Sequence, residues 1–168
     1  MTFVETVVIN HVNEKLRFNV PKERPGFLMW KVTGAWQRLI TKKLSPFNLT
    51  HVQFILLSAN EFLSSHGENV TQKKLSDFTG TNIMMVSDVV RTLQAKGLII
   101  RSKNPSDKRE MILSTTKQGT QKVKDVLPIV EAVDEEFFGN INNEQETLIA
   151  MLSSLLEEER EKDQVKLR

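Results

Sequence analysis

The chain has 168 residues, no cysteine and a formal net charge of +2. A chain of this length buries a core without covalent cross-links, and the lack of cysteine excludes disulfides, thiolate catalysis, thiol redox sensing and cysteine-ligated zinc. No apolar stretch approaches the roughly 20 residues of a membrane span, and the first residues lack the basic start and apolar core of a signal peptide. We therefore expect a cytoplasmic protein with no membrane partner.

Charge is distributed unevenly along the chain. Residues 71–117 contain nine basic and four acidic side chains, a net charge of +5, whereas residues 125–168 contain four basic and twelve acidic side chains, a net charge of −8. A basic middle beside an acidic end is typical of a nucleic-acid-binding module joined to a part that faces away from phosphate. Ordinary surface patchiness explains the same asymmetry equally well.

The N-terminal part contains an extension followed by a helix. Residues 1–24 have no clear pattern, since a strand over 3–8 and a short helix over 10–18 both fit. From Gly26 to Leu44 apolar residues recur at steps of three and four, which predicts a helix. Ser45-Pro46 should end this helix, because the residue before a proline avoids the helical region.

Three helices with polar N-terminal residues follow. Thr50 and Gln53 form a capping-box pattern that predicts a second helix reaching about Ser65. A short third helix is capped by Thr71 and broken by Gly80. A fourth helix should run from near Asn82 to Lys96, where Gly97 stops it. The residues expected on buried faces are Leu75 and Phe78 in the third helix and Val86, Val89, Val90 and Leu93 in the fourth.

The remaining sequence predicts a β-hairpin and two further helices. Strand-like residues at 98–101 and 109–114 flank a segment dense in turn formers. Thr116 or its neighbour should cap a helix that Pro128 kinks or bends and that ends at Gly139-Asn140. Asn142 or Asn143 should cap a final helix. The fold class is therefore mainly α (α+β), with helices and a hairpin in the order of a winged helix-turn-helix.

The fourth helix has an outward face suited to a DNA major groove. Asparagine and serine bond base edges or phosphate, arginine takes guanine or phosphate, and methionine contacts thymine methyl groups. Helical spacing places at most one of two adjacent methionines in the core, so at least one should be exposed. The outward residues are Asn82, Met84, Met85, Ser87, Asp88 and Arg91.

The hairpin tip is basic and suits the minor groove, where the negative potential is enhanced. It contains Lys103, Lys108 and Arg109, and Asp107 could hold the Arg109 guanidinium in one orientation. Lys73, at the start of the third helix, either contacts phosphate or simply solvates the helix surface.

Several of these segments resemble the multiple antibiotic resistance regulator (MarR) family of transcription factors. The matching stretches include Leu49–Phe54, Gly80–Ser87 and Arg91–Ile99. The most specific part is the triplet Asp107-Lys108-Arg109 followed by the Thr-x-x-Gly pattern of Thr116 and Gly119. The resemblance covers about residues 27–156 in the family's order of elements.

The resemblance implies a homodimer that binds a pseudo-palindromic operator, and we expect a repressor. Residues 25–48 and 116–168 would form the helical dimerisation region, and residues 49–115 the winged helix-turn-helix region that binds double-stranded DNA. Arg109 matches the family's wing arginine and Asp107 its partner acid. Many members release DNA when a small aromatic effector binds between these regions, which here would involve Trp30 and Phe54.

The chain departs from the family pattern at Met84-Met85 and Asp88, where many members carry serine, threonine or arginine. Fewer direct polar contacts with the bases are then available, so the selection of an operator sequence should depend more on DNA shape. An acid on this face repels phosphate unless it accepts a hydrogen bond from cytosine or pairs with Arg91. The lack of cysteine also excludes the peroxide-sensing members.

The sequence also bears on two other classes of function, an enzyme and a protein-interaction scaffold. No glycine-rich phosphate loop, nucleophile elbow or buried carboxylate pair is present, and the three histidines lack metal-ligand spacing, so we expect no enzyme, metal or cofactor. The alternative is a winged-helix scaffold for protein interaction or dimerisation with no operator of its own, because fold does not decide function. The aromatic residues Trp30 and Phe54 also fit plain packing roles.

Overall fold

The computed structural model describes residues 24–105, 107 and 109–166, with side chains for all of these except 142, 143 and 158–166. The strand and helix considered within residues 1–24 therefore lie outside the described residues. Lys108 also lies outside them, whereas Arg24 is described. The chain divides into two compact units, residues 1–39 and 40–168. Within the described part, no helix combines the length and apolarity needed to cross a membrane.

The described residues are mainly helical, with one two-stranded sheet, as the sequence predicted. The elements are α1 (Pro25–Leu44), α2 (His51–Ser65), α3 (Gln72–Thr79), α4 (Ile83–Ala95), β1 (Ile99–Lys103), β2 (Met111–Thr115), α5 (Lys117–Phe138) and α6 (Gln145–Lys166). Two 3-10 helices, Ser45–Phe47 and Gly139–Glu144, follow α1 and α5. β1 and β2 are antiparallel, and their register pairs Ile99 with Thr115 and Lys103 with Met111.

Three helices begin directly after the polar residues that were predicted to cap them. The Thr50 hydroxyl accepts from the Gln53 backbone N–H at 3.3 Å, and the Gln53 side chain accepts from the Thr50 N–H at 3.3 Å, which completes the capping box. Thr71 and Thr116 cap α3 and α5 in the same way. These bonds satisfy amides that have no partner inside a helix.

The core of the second unit lies where α2, α3 and α4 meet the hairpin and α5. Its fully buried side chains include Leu56, Leu57, Val70, Leu75, Val86, Val90, Leu93, Ile99, Leu113 and Val126. The hairpin is tied to this core by the Leu113 N–H, which donates to the Val70 carbonyl at 2.8 Å. Burial of one stripe on α4 leaves its opposite face in solvent.

Two local predictions were wrong. Phe78 does not lie on the inner face of α3 but is 49% exposed, because Leu75 occupies the core position and Phe78 stacks on Phe62 at 5.8 Å between ring centroids. The last helix begins later than predicted: the 3-10 turn continues to Glu144 and α6 begins at Gln145, so neither Asn142 nor Asn143 directly precedes it. α5 includes Pro128 within a single helix, with Val126 and Val133 buried on either side, and the kink or bend expected at Pro128 stays a prediction.

Candidate nucleic-acid interface

The outward face of α4 is backed by a rigid support. Val86, Val90 and Leu93 are fully buried, so the orientation of the helix is determined by packing. On the opposite side, Met84 is 72% exposed and Met85 is 51% exposed. The prediction that at least one methionine is exposed is confirmed, and both are. Two adjacent apolar side chains in solvent are suited to contact with thymine methyl groups.

The polar residues of this face have different partners. The Asn82 side-chain oxygen accepts from the Met84 backbone N–H at 2.9 Å, so it caps α4, and its amide N–H groups stay available for DNA. Ser87 is half-buried, whereas Asp88 and Arg91 are exposed. The Arg91 guanidinium lies 3.5 Å from the Asp88 carboxylate, which is the pairing that the sequence analysis considered.

The turn between α3 and α4 is held by hydroxyl groups that the sequence analysis did not single out. The Ser76 hydroxyl donates to the Thr81 carbonyl at 2.7 Å, and the Thr79 and Thr81 hydroxyls lie 2.9 Å apart. Gly80 has a φ of 66°, which favours glycine. The run of serine and threonine around this glycine was the available signal, since such residues hydrogen-bond nearby backbone in turns.

The basic residues of α3 are paired with acids. Lys73 Nζ lies 3.2 Å from the Asp77 carboxylate on the exposed surface, and Lys74 pairs with Glu68. Exposed ion pairs of this kind contribute little free energy, so a phosphate group can replace the acidic partners of these lysines at small cost.

The hairpin loop, called the wing here and comprising residues 103–110, is shaped by two side chains. The Asn104 amide donates to the Glu110 carboxylate at 3.1 Å, and Asn104 is buried. Asp107 accepts from the Arg109 backbone N–H at 2.9 Å through its carboxylate. Asp107 therefore supports Arg109 through the backbone, and among the described residues no ion pair joins it to the Arg109 guanidinium.

The two wing cations that the structure describes face solvent. Lys103, at the end of β1, and Arg109, in the turn, are both exposed. The role of Asn104 in closing the wing was not predicted, although its place in a turn-rich segment was a signal.

The two aromatic residues expected near an effector have different environments. Phe54 is 4% exposed within the core of the second unit, and Trp30 of α1 is 73% exposed. Trp30 stacks on Phe27, with 6.1 Å between ring centroids.

Titratable side chains of the described residues form no metal site, since no three His, Asp or Glu groups cluster there. Burial lowers the pKa of the His51 imidazole below its ordinary value, and the negative charge of Asp134 opposes this shift. His51 is the first residue of α2 and Asp134 belongs to α5, so this interaction links the start of α2 to the helix that follows the wing.

Comparison with known proteins identifies this arrangement. The model described as MarR family matches residues 49–111. YdcH of Bacillus subtilis (strain 168), an uncharacterized HTH-type transcriptional regulator, is 52% identical over 143 residues, which cover 85% of this chain and 97% of that protein. The chain belongs to the MarR family. This MarR-family protein is a transcriptional regulator, as the resemblance in its sequence implied.

Solved structures of MarR-family fold support the architecture. The MepR–DNA complex of S. aureus has a TM-score of 0.73 and 21% identity, covering 80% of this chain and 98% of that one. BpsR of Bordetella bronchiseptica, solved in a study of how 6-hydroxynicotinic acid regulates its DNA binding, has a TM-score of 0.73 and 22% identity, covering 83% and 96%. The winged helix-turn-helix fold predicted from the sequence is confirmed.

Proposed function

We propose that this MarR-family regulator binds duplex DNA as a homodimer in the cytoplasm and acts as a repressor, with no catalytic activity of its own. The observation that carries the proposal is the two-sided structure of α4, whose buried stripe supports an exposed face with Met84, Met85 and Arg91. A helix with one anchored side and one exposed side of this size fits the major groove. MepR, with the same fold, was solved with DNA.

The proposed DNA contacts divide by chemistry. Arg91, Asn82 and Ser87 read base edges or the nearest phosphates, while Arg109 enters the minor groove on a turn supported by Asp107. The lysines, Lys73, Lys103 and Lys108, supply salt-dependent attraction to phosphate. Asp88 weakens the attraction of Arg91 to phosphate, because its carboxylate partly neutralises the positive charge of the guanidinium.

Dimer formation explains the exposed apolar residues of the two terminal helices. The large exposed apolar side chains are Phe27, Leu28, Met29, Trp30 and Val32 in α1, and Ile149, Met151, Leu152, Leu155 and Leu156 in α6. Surfaces of this kind mark sites of protein association. Residues 25–48 and 116–168 are therefore proposed as the dimerisation region and residues 49–115 as the DNA-binding region.

The dimer is tested by light scattering of Leu155→Glu beside Ser154→Glu. A charge at Leu155 should shift the mass to that of a monomer, whereas the same charge at the exposed polar Ser154 should leave the dimer intact. Wild-type protein that is monomeric at every concentration would disprove this part of the proposal.

DNA binding is tested by fluorescence anisotropy with duplex fragments from the protein's own genome, at about 50 and 200 mM salt. Arg91→Ala and Arg109→Ala should each weaken binding of the preferred fragment by about 1–3 kcal/mol. Lys124→Ala, which removes an exposed cation from α5, is the matched control and should leave binding unchanged. Failure to bind any fragment at the lower salt would favour the scaffold alternative.

A small aromatic effector is the second part of the proposal. It is supported by BpsR, whose DNA binding is regulated by 6-hydroxynicotinic acid. When a small aromatic effector is added to the preformed protein–DNA complex, the fluorescence anisotropy of the duplex should decrease, because the protein dissociates from it. The family resemblance implies a site near Trp30 and Phe54, and Phe54 contributes there only if the core around it opens, because it is buried.

A further inference from the structure

Arg101 of β1 has a guanidinium edge that is buried and has no partner. Its Nε and Nη2 atoms are shielded from solvent, and neither donates a hydrogen bond to any acceptor among the described residues. These two nitrogens form one edge of the planar group, the edge that binds two oxygens of a carboxylate or phosphate through parallel hydrogen bonds. Because a buried charge without a partner is unfavourable, this edge is suited to an acceptor that the protein itself does not supply.

Arg101 lies on the inner face of the hairpin, between the core and the wing. Side chains alternate between the two faces of a strand, so Arg101 shares its face with Ile99, which is fully buried, and with Lys103, which is exposed. Its neighbour across the hairpin is Leu113, which is also buried. The side chain therefore begins at the edge of the core, two residues before the wing.

The strand that carries Arg101 connects two elements with proposed roles in DNA binding. β1 packs against α4, which is proposed for the major groove, and leads into the wing, which is proposed for the adjacent minor groove. Adjacent grooves of a duplex are separated by one sugar-phosphate backbone. A residue located between the readers of these two grooves is therefore next to phosphate groups and not to base edges.

We propose that Arg101 is a phosphate-binding residue whose Nε–H and Nη2–H groups donate to one backbone phosphate of DNA, between the groove that α4 reads and the groove that the wing enters. The inference rests on the proposed function and adds to it a contact that holds α4 and the wing in register on the duplex. Such a contact positions the protein without reading sequence.

The guanidinium edge has to turn toward solvent to make this contact. Arg101 as a whole is half-buried, and its long side chain has several torsions with alternative rotamers. No hydrogen bond of Nε or Nη2 to the described residues has to break. Arg91 differs, because its guanidinium already lies 3.5 Å from the Asp88 carboxylate. A phosphate would thus be the first partner of the Arg101 edge.

The direct test is anisotropy of the full chain with its preferred duplex and with an unrelated duplex, over a salt series. Arg101→Met should weaken binding of both duplexes about tenfold and make the slope of log K against log salt shallower by about one unit. Arg101→Lys should keep the slope and lose part of the affinity, since lysine has the charge without the paired donors. Lys124→Met, on α5, is the matched control and should change neither value.

Folding stability separates this role from a structural one. Arg101→Met removes an unpartnered buried charge and keeps an unbranched side chain, so it should be at least as stable to urea as the wild type while it binds DNA less well. Unchanged DNA affinity and salt slope in Arg101→Met would overturn the proposal. If Arg101→Met does not fold, Arg101→Lys and the modified duplexes described next decide it.

Modified duplexes locate the phosphate. A methylphosphonate at a single position removes the charge of one phosphate, and a set of duplexes covers the backbone segment between the two grooves. One position should weaken binding of the wild type about tenfold and binding of Arg101→Met or Arg101→Lys distinctly less, because the contact is already lost or impaired in the variant. The same loss in wild type and variants at every position would contradict the contact.

Free phosphate is the other source of the same chemistry. Inorganic phosphate can replace chloride at equal ionic strength during urea denaturation of the protein without DNA. Stabilisation of the wild type but not of Arg101→Met, together with equal DNA binding by the two proteins, would assign the edge to a small anion and overturn the proposal. A wild type that binds no duplex would disprove the proposed function, whereas a wild type that binds duplex no better than Arg101→Met would disprove this inference alone.

Discussion

Asp88 and Arg91 form an ion pair one turn apart on the exposed face of α4, with 3.5 Å between carboxylate oxygen and guanidinium nitrogen. Both side chains are mostly in solvent, so the pair contributes little to folding stability. Its effect is on recognition, because the cation that would contact DNA is partly neutralised before DNA arrives.

Removal of the acid should therefore strengthen DNA binding. We expect Asp88→Asn to raise affinity for non-specific duplex and to steepen the dependence of log K on log salt by up to about one unit, as for one more phosphate contact. Anisotropy over a salt series measures this slope. Glu131→Gln, an exposed acid on α5, should change neither value. A lower affinity in Asp88→Asn would instead mean that the Asp88 carboxylate itself reads a base.

The wing prediction separates two roles of Asp107. The carboxylate accepts from the Arg109 backbone N–H, and an asparagine oxygen keeps such an acceptor while it removes the charge. Asp107→Asn should retain operator affinity, whereas Asp107→Ala should lose about 1–3 kcal/mol, like removal of the arginine contact that it supports. Equal losses in both variants would show that the negative charge, and not the turn, supports Arg109.

Gly119 should tolerate no side chain. A Cβ there would lie 2.6 Å from the Thr115 methyl group and closer still to the Leu98 carbonyl, and this backbone cannot move without the hairpin. We expect Gly119→Ala to lower the free energy of unfolding by about 1–3 kcal/mol, as for other overpacked sites. Gly34→Ala is the control, since its Cβ meets ordinary contact at 3.6 Å and alanine favours a helix by about 0.5–1 kcal/mol. Urea denaturation measures both, and equal stability of Gly119→Ala and wild type would contradict the packing.

His51 should make the protein less stable in mild acid. Its folded-state pKa lies below that of the unfolded chain because of burial, so between these two values the unfolded state binds more protons. The contribution of neutral His51 is complete above about pH 6.5 and decreases as the pH falls below that value. Unfolding curves from pH 8 to 5 should show a smaller loss for His51→Gln than for wild type. An identical loss in the two proteins would contradict the shift.

Asp134→Asn tests the opposing influence on the same histidine. Without the negative charge, burial acts alone and the pKa of His51 should fall further, which an NMR titration of the imidazole signals measures. A rise in the pKa would show that Asp134 does not favour the charged imidazole.

The sequence by itself determined where most helices begin and end. The hydroxyls of Thr50, Thr71 and Thr116 each bond an amide three residues ahead, and Gly80 and Gly97 have the positive φ expected of helix stops. Such signals work within one turn of chain, so they are legible without knowledge of the fold. The motif around Asp107-Lys108-Arg109 is likewise a short stretch of sequence, so it could indicate the family without knowledge of the fold.

Only the tertiary structure decided which faces are covered. Phe78 has helical spacing suited to the core, yet it stacks on Phe62 at the surface because Leu75 fills the available space. The acceptor role of Asp107 and the burial of Asn104 depend on how the wing closes. Packing joins residues far apart in sequence, and no pattern of three or four residues specifies it.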